Sequence, residues 1–347
     1  MVSFGLFLNC GAQLGRSDDE VFELVLKEAR LAEQLGYHDV WVTEHHFIPF
    51  GINPSALTLA AFLLGQTCRL RVGTAVTLAP LYHPLQLAEQ AALLDQCSGG
   101  RFDFGIGRGG YLAEFEAFGI DPERWTDEVE CTASVLLDAW RSKEVSARNR
   151  WATFGPVSVN PRPRTSPHPP LFLASTTLST VAFAAANGLP LLHYWGTPLE
   201  ARMATERLYA EAASAPTDHI HALVVVVADD EASRAALAEK LKQSFRNGDW
   251  PHVPQARNRH VGPDGQPIAR DKLAEVIAQQ ALVGPPDRIY KALQEIHANF
   301  GVQRFVLFME AITDRKSILS SIERFGREVM PRFASGSSVR PQAARLA

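Results

Sequence analysis

Short apolar runs alternate with amphipathic stretches along most of the chain. FGLFL, positions 4 to 8, reads as a buried strand; Ser17 and Glu20 then form a capping box, and Val21, Leu24, Val25, Ala29, Ala32 and Leu35 line one helical face until Gly36 stops it. The same alternation predicts strands at 38–43, 69–77, 101–106, 171–174, 189–194, 220–227 and 302–308. Helices are predicted at about 54–65, 84–97, 121–141, 178–187, 198–213, 230–245, 270–281, 285–299 and 313–333. Some eight strand–helix pairs predict an α/β fold, a single (β/α)8 TIM barrel with insertions. The alternative, a doubly wound open sheet, is disfavoured because NCGAQLG after the first strand does not match G-x-G-x-x-G. Periodicity fails twice. Positions 150–170, with six prolines, read as an irregular insertion, and 246–267 read as a lid or binding loop. The predicted organisation is one barrel over 1–333 and a disordered tail over 334–347.

Composition narrows the partners. With 34 basic and 38 acidic residues the formal charge is −4, and no long run of like charge draws the chain to nucleic acid or an anionic membrane. A small neutral or hydrophobic molecule is the expected partner. Cys10, Cys68, Cys97 and Cys131 show no C-x-x-C spacing, which suits a reducing compartment and reads as four buried fillers. With no leader-like start and no apolar run of membrane length, a soluble cytoplasmic protein is expected.

Three stretches carry candidate chemistry. VWVTEHHF, positions 40 to 47, ends a strand in Glu44, His45 and His46, at the end of the strand where barrel enzymes keep their active sites. Adjacent residues there point to opposite sides, so a metal centre would have to recruit His83 or His193; no metal site is expected, and a metallohydrolase is the remote alternative. FDFGIGRGGY, positions 102 to 111, surrounds Arg108 with Gly105, Gly107, Gly109 and Gly110, so a backbone that can approach closely sits beside a forked cation. LFLASTTLSTVAF, positions 171 to 183, ends a strand in Ser175, Thr176, Thr177 and Ser179 as a helix begins, a ready anion site. Opening on one barrel face, the last two stretches can hold one phosphate together. Phe47 reads as core.

VWVTEHHFIPFG, RVGTAVTLAPLYHPLQLAEQAALLDQCSGGRFDFGIGRGG, and LASTTLST with NGLPLLHYWGT resemble the bacterial luciferase-like flavin-dependent monooxygenases, in order and spacing. The resemblance implies a barrel that takes reduced FMN from a separate NAD(P)H:flavin reductase, reacts it with O2 through a flavin C4a-peroxide, and oxygenates an organic molecule. It implies that His45 is the catalytic histidine, with Glu44 orienting its loop. Arg108, with Gly107 and Gly109 beside it, and Ser175, Thr176 and Ser179 match phosphate-binding positions; Trp195 matches an aromatic residue near the flavin ring; Ala75–Val76 matches a cis peptide under it. Trp41, Tyr111, Phe115, His193 and Tyr194 are expected to wall a substrate pocket. Gly107 stands where the luciferase α subunit has cysteine, which suggests extra room, and 246–267 departs from that subunit's lid; both set the long-chain aldehyde and light emission apart from the flavin. The implied reaction is hydroxylation, epoxidation or Baeyer–Villiger insertion on a bulky apolar or aromatic molecule, with tailoring of a polyketide or another secondary metabolite as one form. An F420-dependent oxidoreductase and a non-catalytic partner subunit are the alternatives, and a homodimer is implied.

Overall fold

A computed structural model describes residues 1–11, 15–48, 50–121, 123–175, 177–247, 270–311 and 314–335. The chain runs β1 (Ser3–Leu8), α1 (Asp18–Leu35), β2 (Asp39–Val42), α2 (Ala56–Gln66), β3 (Arg71–Thr74), β4 (Thr77–Leu78), α3 (Pro84–Ser98) and β5 (Phe102–Gly107). It continues through α4 (Leu112–Ala117), α5 (Arg124–Arg141), β6 (Val145–Arg148), β7 (Thr153–Val157), β8 (Leu171–Ala174), α6 (Leu178–Asn187), β9 (Leu192–His193) and α7 (Leu199–Ala212). The remaining elements are β10 (Ile220–Val227), α8 (Glu231–Asn247), α9 (Arg270–Gln280), β11 (Leu282–Gly284), α10 (Pro286–Phe300), β12 (Arg304–Phe308), α11 (Arg315–Arg324) and α12 (Met330–Ser335).

The strands close on themselves. β1 pairs in parallel with β2 and β12, β2 with β3, β3 with β5, β5 with β8, and β10 with both β9 and β12. A bridge from Leu173 to Leu191 joins β8 to the approach of β9 and completes the ring. All eight strand positions expected from the hydrophobic pattern are therefore wall strands of a parallel barrel. The period of two sorts their side chains. On β10, Ile220, Ala222, Val224 and Val226 join Phe7, Trp41, Phe172 and Phe308 inside the barrel, whereas Leu223 and Val225 pack outward with the helices. At the N-terminal mouth, Arg71 grips Asp103 with two bonds of 3.1 and 2.5 Å, and Arg304 reaches Asp39 at 2.9 Å, pairing charges that the barrel would otherwise bury alone. Gly5 is obligatory beside them, because a Cβ there would lie 1.7 Å from Asp39 Oδ1.

Three expectations change. The insertion at 150–170 is partly ordered, since β6 and β7 form an antiparallel hairpin before the cis peptides Asn160–Pro161 and Ser166–Pro167. The helix expected over 313–333 is interrupted by a π-turn at Phe325–Val329, and α4 is a short helix that the pattern missed. Only Cys10 is a buried filler; Cys68 and Cys97 are exposed and Cys131 is half-buried. The lid expected at 246–267 and the tail at 334–347 lie almost wholly outside the described residues.

Candidate functional site

The loop after β2 is stapled down by neighbours that no linear motif links. Asn53 O accepts from His45 N at 2.9 Å, Asn53 Nδ2 donates to Thr43 O at 2.6 Å, and Asn9, just past β1, donates to Phe50 O at 2.5 Å. Glu44 is 1% exposed, and its two oxygens accept from Ala56 N at 2.9 Å, the first residue of α2, and from Leu78 N at 3.3 Å in β4. Both oxygens of Glu44 thus accept from backbone, and Tyr82 engages the carboxylate as well, which ties Glu44 to the loop it was expected to orient. His46 turns its Nε2 back to within 3.7 Å of Glu44.

His45 faces the opposite way. Its ring sits edge-on to Tyr111, centroids 5.5 Å apart, and 5.9 Å from Phe50, and it remains partly exposed. Glu114, fully buried on α4, accepts from His46 N at 2.9 Å and lies 3.7 Å from His45 Nδ1, placing a negative charge behind the imidazole. The sequence reading missed Glu114; the one signal was an acidic residue inside the otherwise apolar YLAEF. Across the mouth, Trp195 packs at a tilt against Phe308, ring centroids 5.3 Å apart, and approaches Phe50, so Trp195 and His45 belong to one aromatic wall, with Tyr194 against Trp195 at 4.4 Å.

The anion-binding pieces are brought together by register. Gly107 pairs with Ala174, so Arg108 and Ser175 leave adjacent strands side by side. Ser175 Oγ accepts from Thr177 N at 3.1 Å, and Thr177 stands at the N-cap position of α6 without a side-chain capping bond. Ser179 is exposed in the first turn of α6, and its hydroxyl donates to Glu130 at 2.9 Å. Thr176 lies outside the described residues. The Ala75–Val76 peptide is cis, as the resemblance implied. Gly109 has φ +81°, a backbone shape suited to glycine.

Other expected site residues are placed elsewhere. Gly107 opens no cavity, because a Cβ there would lie 2.8 Å from Val76 Cγ2 and 3.3 Å from Ala174 Cβ; the space is already filled. Trp41 is fully buried inside the barrel, edge-on to Phe172, with Gly73 making way for its ring, and Phe115 is fully buried as well. His193 points away from the mouth: Leu192 takes the inward place, so strand alternation sends His193 out beneath α7, where burial lowers its pKa to about 4. His83 is exposed and caps α3, accepting from Leu85 N at 3.3 Å. Phe47 is 69% exposed with φ +62°, packed at a tilt against Phe118, and forms an apolar rim instead of core.

The mouth leaves polar atoms in want of partners. Asn9 Oδ1, Thr77 Oγ1, His45 Nδ1 and Glu114 Oε2 are buried without a hydrogen bond. A planar ligand with donors and acceptors along its edges and a phosphate tail fits that inventory, the tail meeting Arg108 and the α6 N-terminus.

Known proteins share both sequence and fold with this chain. The family model described as luciferase-like monooxygenase matches residues 2–304. The alkanal monooxygenase alpha chain of Photorhabdus laumondii subsp. laumondii is 35% identical over 220 residues, covering 63% of this chain and 61% of that one, so the match spans under two thirds of that relative. The structure of monooxygenase RslO1 from Streptomyces bottropensis superposes with TM-score 0.81 at 25% identity, covering 95% of this chain and 99% of that one. The oxygenating constituent of 3,6-diketocamphane monooxygenase from a Pseudomonas putida plasmid, a type II Baeyer–Villiger enzyme solved with FMN, gives TM-score 0.74 at 18% identity and covers 96% and 99% of the two chains. At that identity the likeness concerns the fold.

Proposed function

Because the chain belongs to the luciferase-like monooxygenase family, matched over residues 2–304, we propose that it is an FMN-dependent monooxygenase that receives reduced FMN from a separate reductase and uses O2 to oxygenate a bulky apolar or aromatic small molecule. The observation that carries this reading is the joining of His45, the aromatic wall and the Arg108–Ser175 anion corner on one barrel face. When bound, the reduced flavin supplies the electrons and activates the oxygen.

The chain's own residues supply the rest. Arg108, the Ser175 hydroxyl and the first amides of α6 hold the phosphate, the cation by charge and the helix by its unpaired N–H groups and dipole. Thr77 and Asn9 offer their unpartnered oxygens to donors on the ring edge. Phe50, Tyr111 and Trp195 keep water out, which strengthens every polar contact inside. His45 holds and moves the proton, with Glu114 behind Nδ1 favouring a proton on that side and leaving Nε2 for exchange. The exposed rim of Phe47 and Phe118 supports an apolar substrate, and a tailoring step on an aromatic secondary metabolite is the form we favour. Among the described residues no helix is long and apolar enough to cross a membrane, in keeping with action in the cytoplasm. A homodimer is proposed from the family alone, and gel filtration tests it.

The test is rapid mixing. Protein is loaded anaerobically with reduced FMN and mixed with O2, and the rate of flavin oxidation is followed in wild type and in His45→Ala. Oxidation in the wild type at a rate unlike that of free FMN, changed again in the variant, supports the reading. Oxidation at the protein-free rate, with F420 bound instead, would replace it by the F420-dependent alternative.

A further inference from the structure

Away from the mouth, in the layer between barrel wall and helices, three side chains converge. His193 and His221 stand opposite each other in the register of β9 and β10, and strand alternation sends both rings outward under α7, their centroids 4.8 Å apart. From α7, Glu206 reaches down between them. One oxygen, Oε1, lies 2.9 Å from His193 Nε2 and 2.7 Å from His221 Nε2. Neither approach is aligned as a hydrogen bond: His193 Nε2 and Glu206 Oε1 are both buried without a hydrogen-bond partner. Two imidazoles about 2% exposed and a carboxylate thus place three ligand atoms within 4.8 Å of one another, at ion-pair distance but outside good hydrogen-bond alignment.

We propose that His193, Glu206 and His221 bind a divalent first-row transition metal ion, zinc foremost, which clamps α7 to the barrel wall. Two ring nitrogens and one carboxylate oxygen make a borderline donor set that suits zinc, with solvent as fourth ligand. Glu206 is 20% exposed, so a path for ion and water opens on its side. Zinc–ligand bonds of about 2.0–2.2 Å set ligand atoms some 3.3 Å apart in a tetrahedron, so loading asks the carboxylate oxygen to part from each ring nitrogen by roughly half an ångström. Arg202, fully buried, is tied to Thr197 O and Ala222 O at 2.8 Å and opposes a second cation; Glu206 offsets one charge, which places affinity below that of thiolate sites. The third nearby histidine, His219, is engaged elsewhere, accepting from Leu191 N at 3.0 Å. Because His193 is followed directly by Tyr194 and Trp195, the ion would also steady the segment that carries the aromatic wall of the mouth.

The test uses the full, tag-free chain in a Cys68→Ser/Cys97→Ser background, since those two thiols are exposed and bind metal on their own account. After dialysis against chelator and reloading, the parent is expected to retain about one zinc ion per chain, to melt at higher temperature with zinc than without, and with cobalt to show tetrahedral d–d bands. Glu206→Gln keeps the volume and leaves polar atoms that could hydrogen-bond both rings, so a simple hydrogen-bonded cluster would survive it; the proposal requires the ion, the thermal shift and the cobalt bands to be lost. His221→Ala should lose them too, and if that variant does not fold, Glu206→Gln decides. Less than about a tenth of an equivalent retained by the parent, or equal retention in parent and Glu206→Gln, would overturn the proposal.

Discussion

Replacing Glu44 by glutamine separates holding the loop from doing chemistry. The carboxylate is buried, with Oε2 accepting from Ala56 N at 2.9 Å and Oε1 from Leu78 N at 3.3 Å. Glutamine preserves the volume but has one oxygen. If it keeps the Ala56 bond, its NH2 group faces the Leu78 N–H; if it turns over, the start of α2 is left instead. In either case a buried backbone donor loses its partner and meets another donor. Hydrogen bonds to charged groups are worth about 1.5–3 kcal/mol, and a buried unpaired donor costs about 1–3 kcal/mol. The two overlap, because the bond lost and the donor stranded are the same event, so the expected loss is about 1.5–3 kcal/mol. Urea unfolding followed by tryptophan fluorescence measures it as a lower midpoint at unchanged slope. Flavin binding per folded molecule should stay within a few-fold, because no oxygen of Glu44 faces the mouth. A variant within about 0.5 kcal/mol of wild type in stability, yet without turnover, would refute this reasoning and return Glu44 to the chemistry.

His45→Ala should fold normally and lose about 10²- to 10⁴-fold in turnover, measured as substrate oxygenated per enzyme per unit time. Gly107→Cys, which restores the residue of the luciferase α subunit, should cost about 1–3 kcal/mol through collision with Val76 Cγ2 at 2.8 Å, and Val76→Ala should recover much of it in a double-mutant cycle of thermal melts. Glu310 is buried beside Glu28 with Cys10 and Arg16 around it, and burial first of all lifts its pKa to about 7 although Asn9 N donates to it. The folded protein therefore holds this proton where the unfolded chain has released it, so stability falls as pH rises from about 4.5 to about 7, and Glu310→Gln should flatten that slope in melts across the range. Gly5→Ala, placing a methyl 1.7 Å from Asp39 Oδ1, should break the Asp39–Arg304 pair and leave the barrel insoluble on expression.

Strand positions were legible because a buried parallel strand must be a short apolar run, and eight such runs spaced by amphipathic helices fit few folds besides a closed barrel. The His45 loop, the Arg108 turn and the hydroxyls before α6 were legible as well. Each is local, a cluster of chemical groups directly after a strand, where barrels expose their loops. What linear order concealed was facing and company. Whether His193 looks into the mouth or away depends on the phase of a two-residue strand, and one step in register reverses it. Whether Gly107 means room depends on Val76 and Ala174, which arrive from other strands.

The same holds for the carboxylates. Glu44 read as the carboxylate that orients the loop, but the partners it does this with, Ala56 and Leu78, come from other elements, whereas Glu114 looked incidental and sits behind the histidine. Glu206 joins His193 and His221 only because β9, β10 and α7 pack together. Periodicity and local groups wrote the barrel and the corners of its mouth into the chain, since both arise from residues close in sequence. The partner each buried polar atom meets, and so whether it reacts, supports or binds an ion, was decided in the tertiary structure, because hydrogen bonds, charges and packing act across space between strands that the chain brings together only on folding.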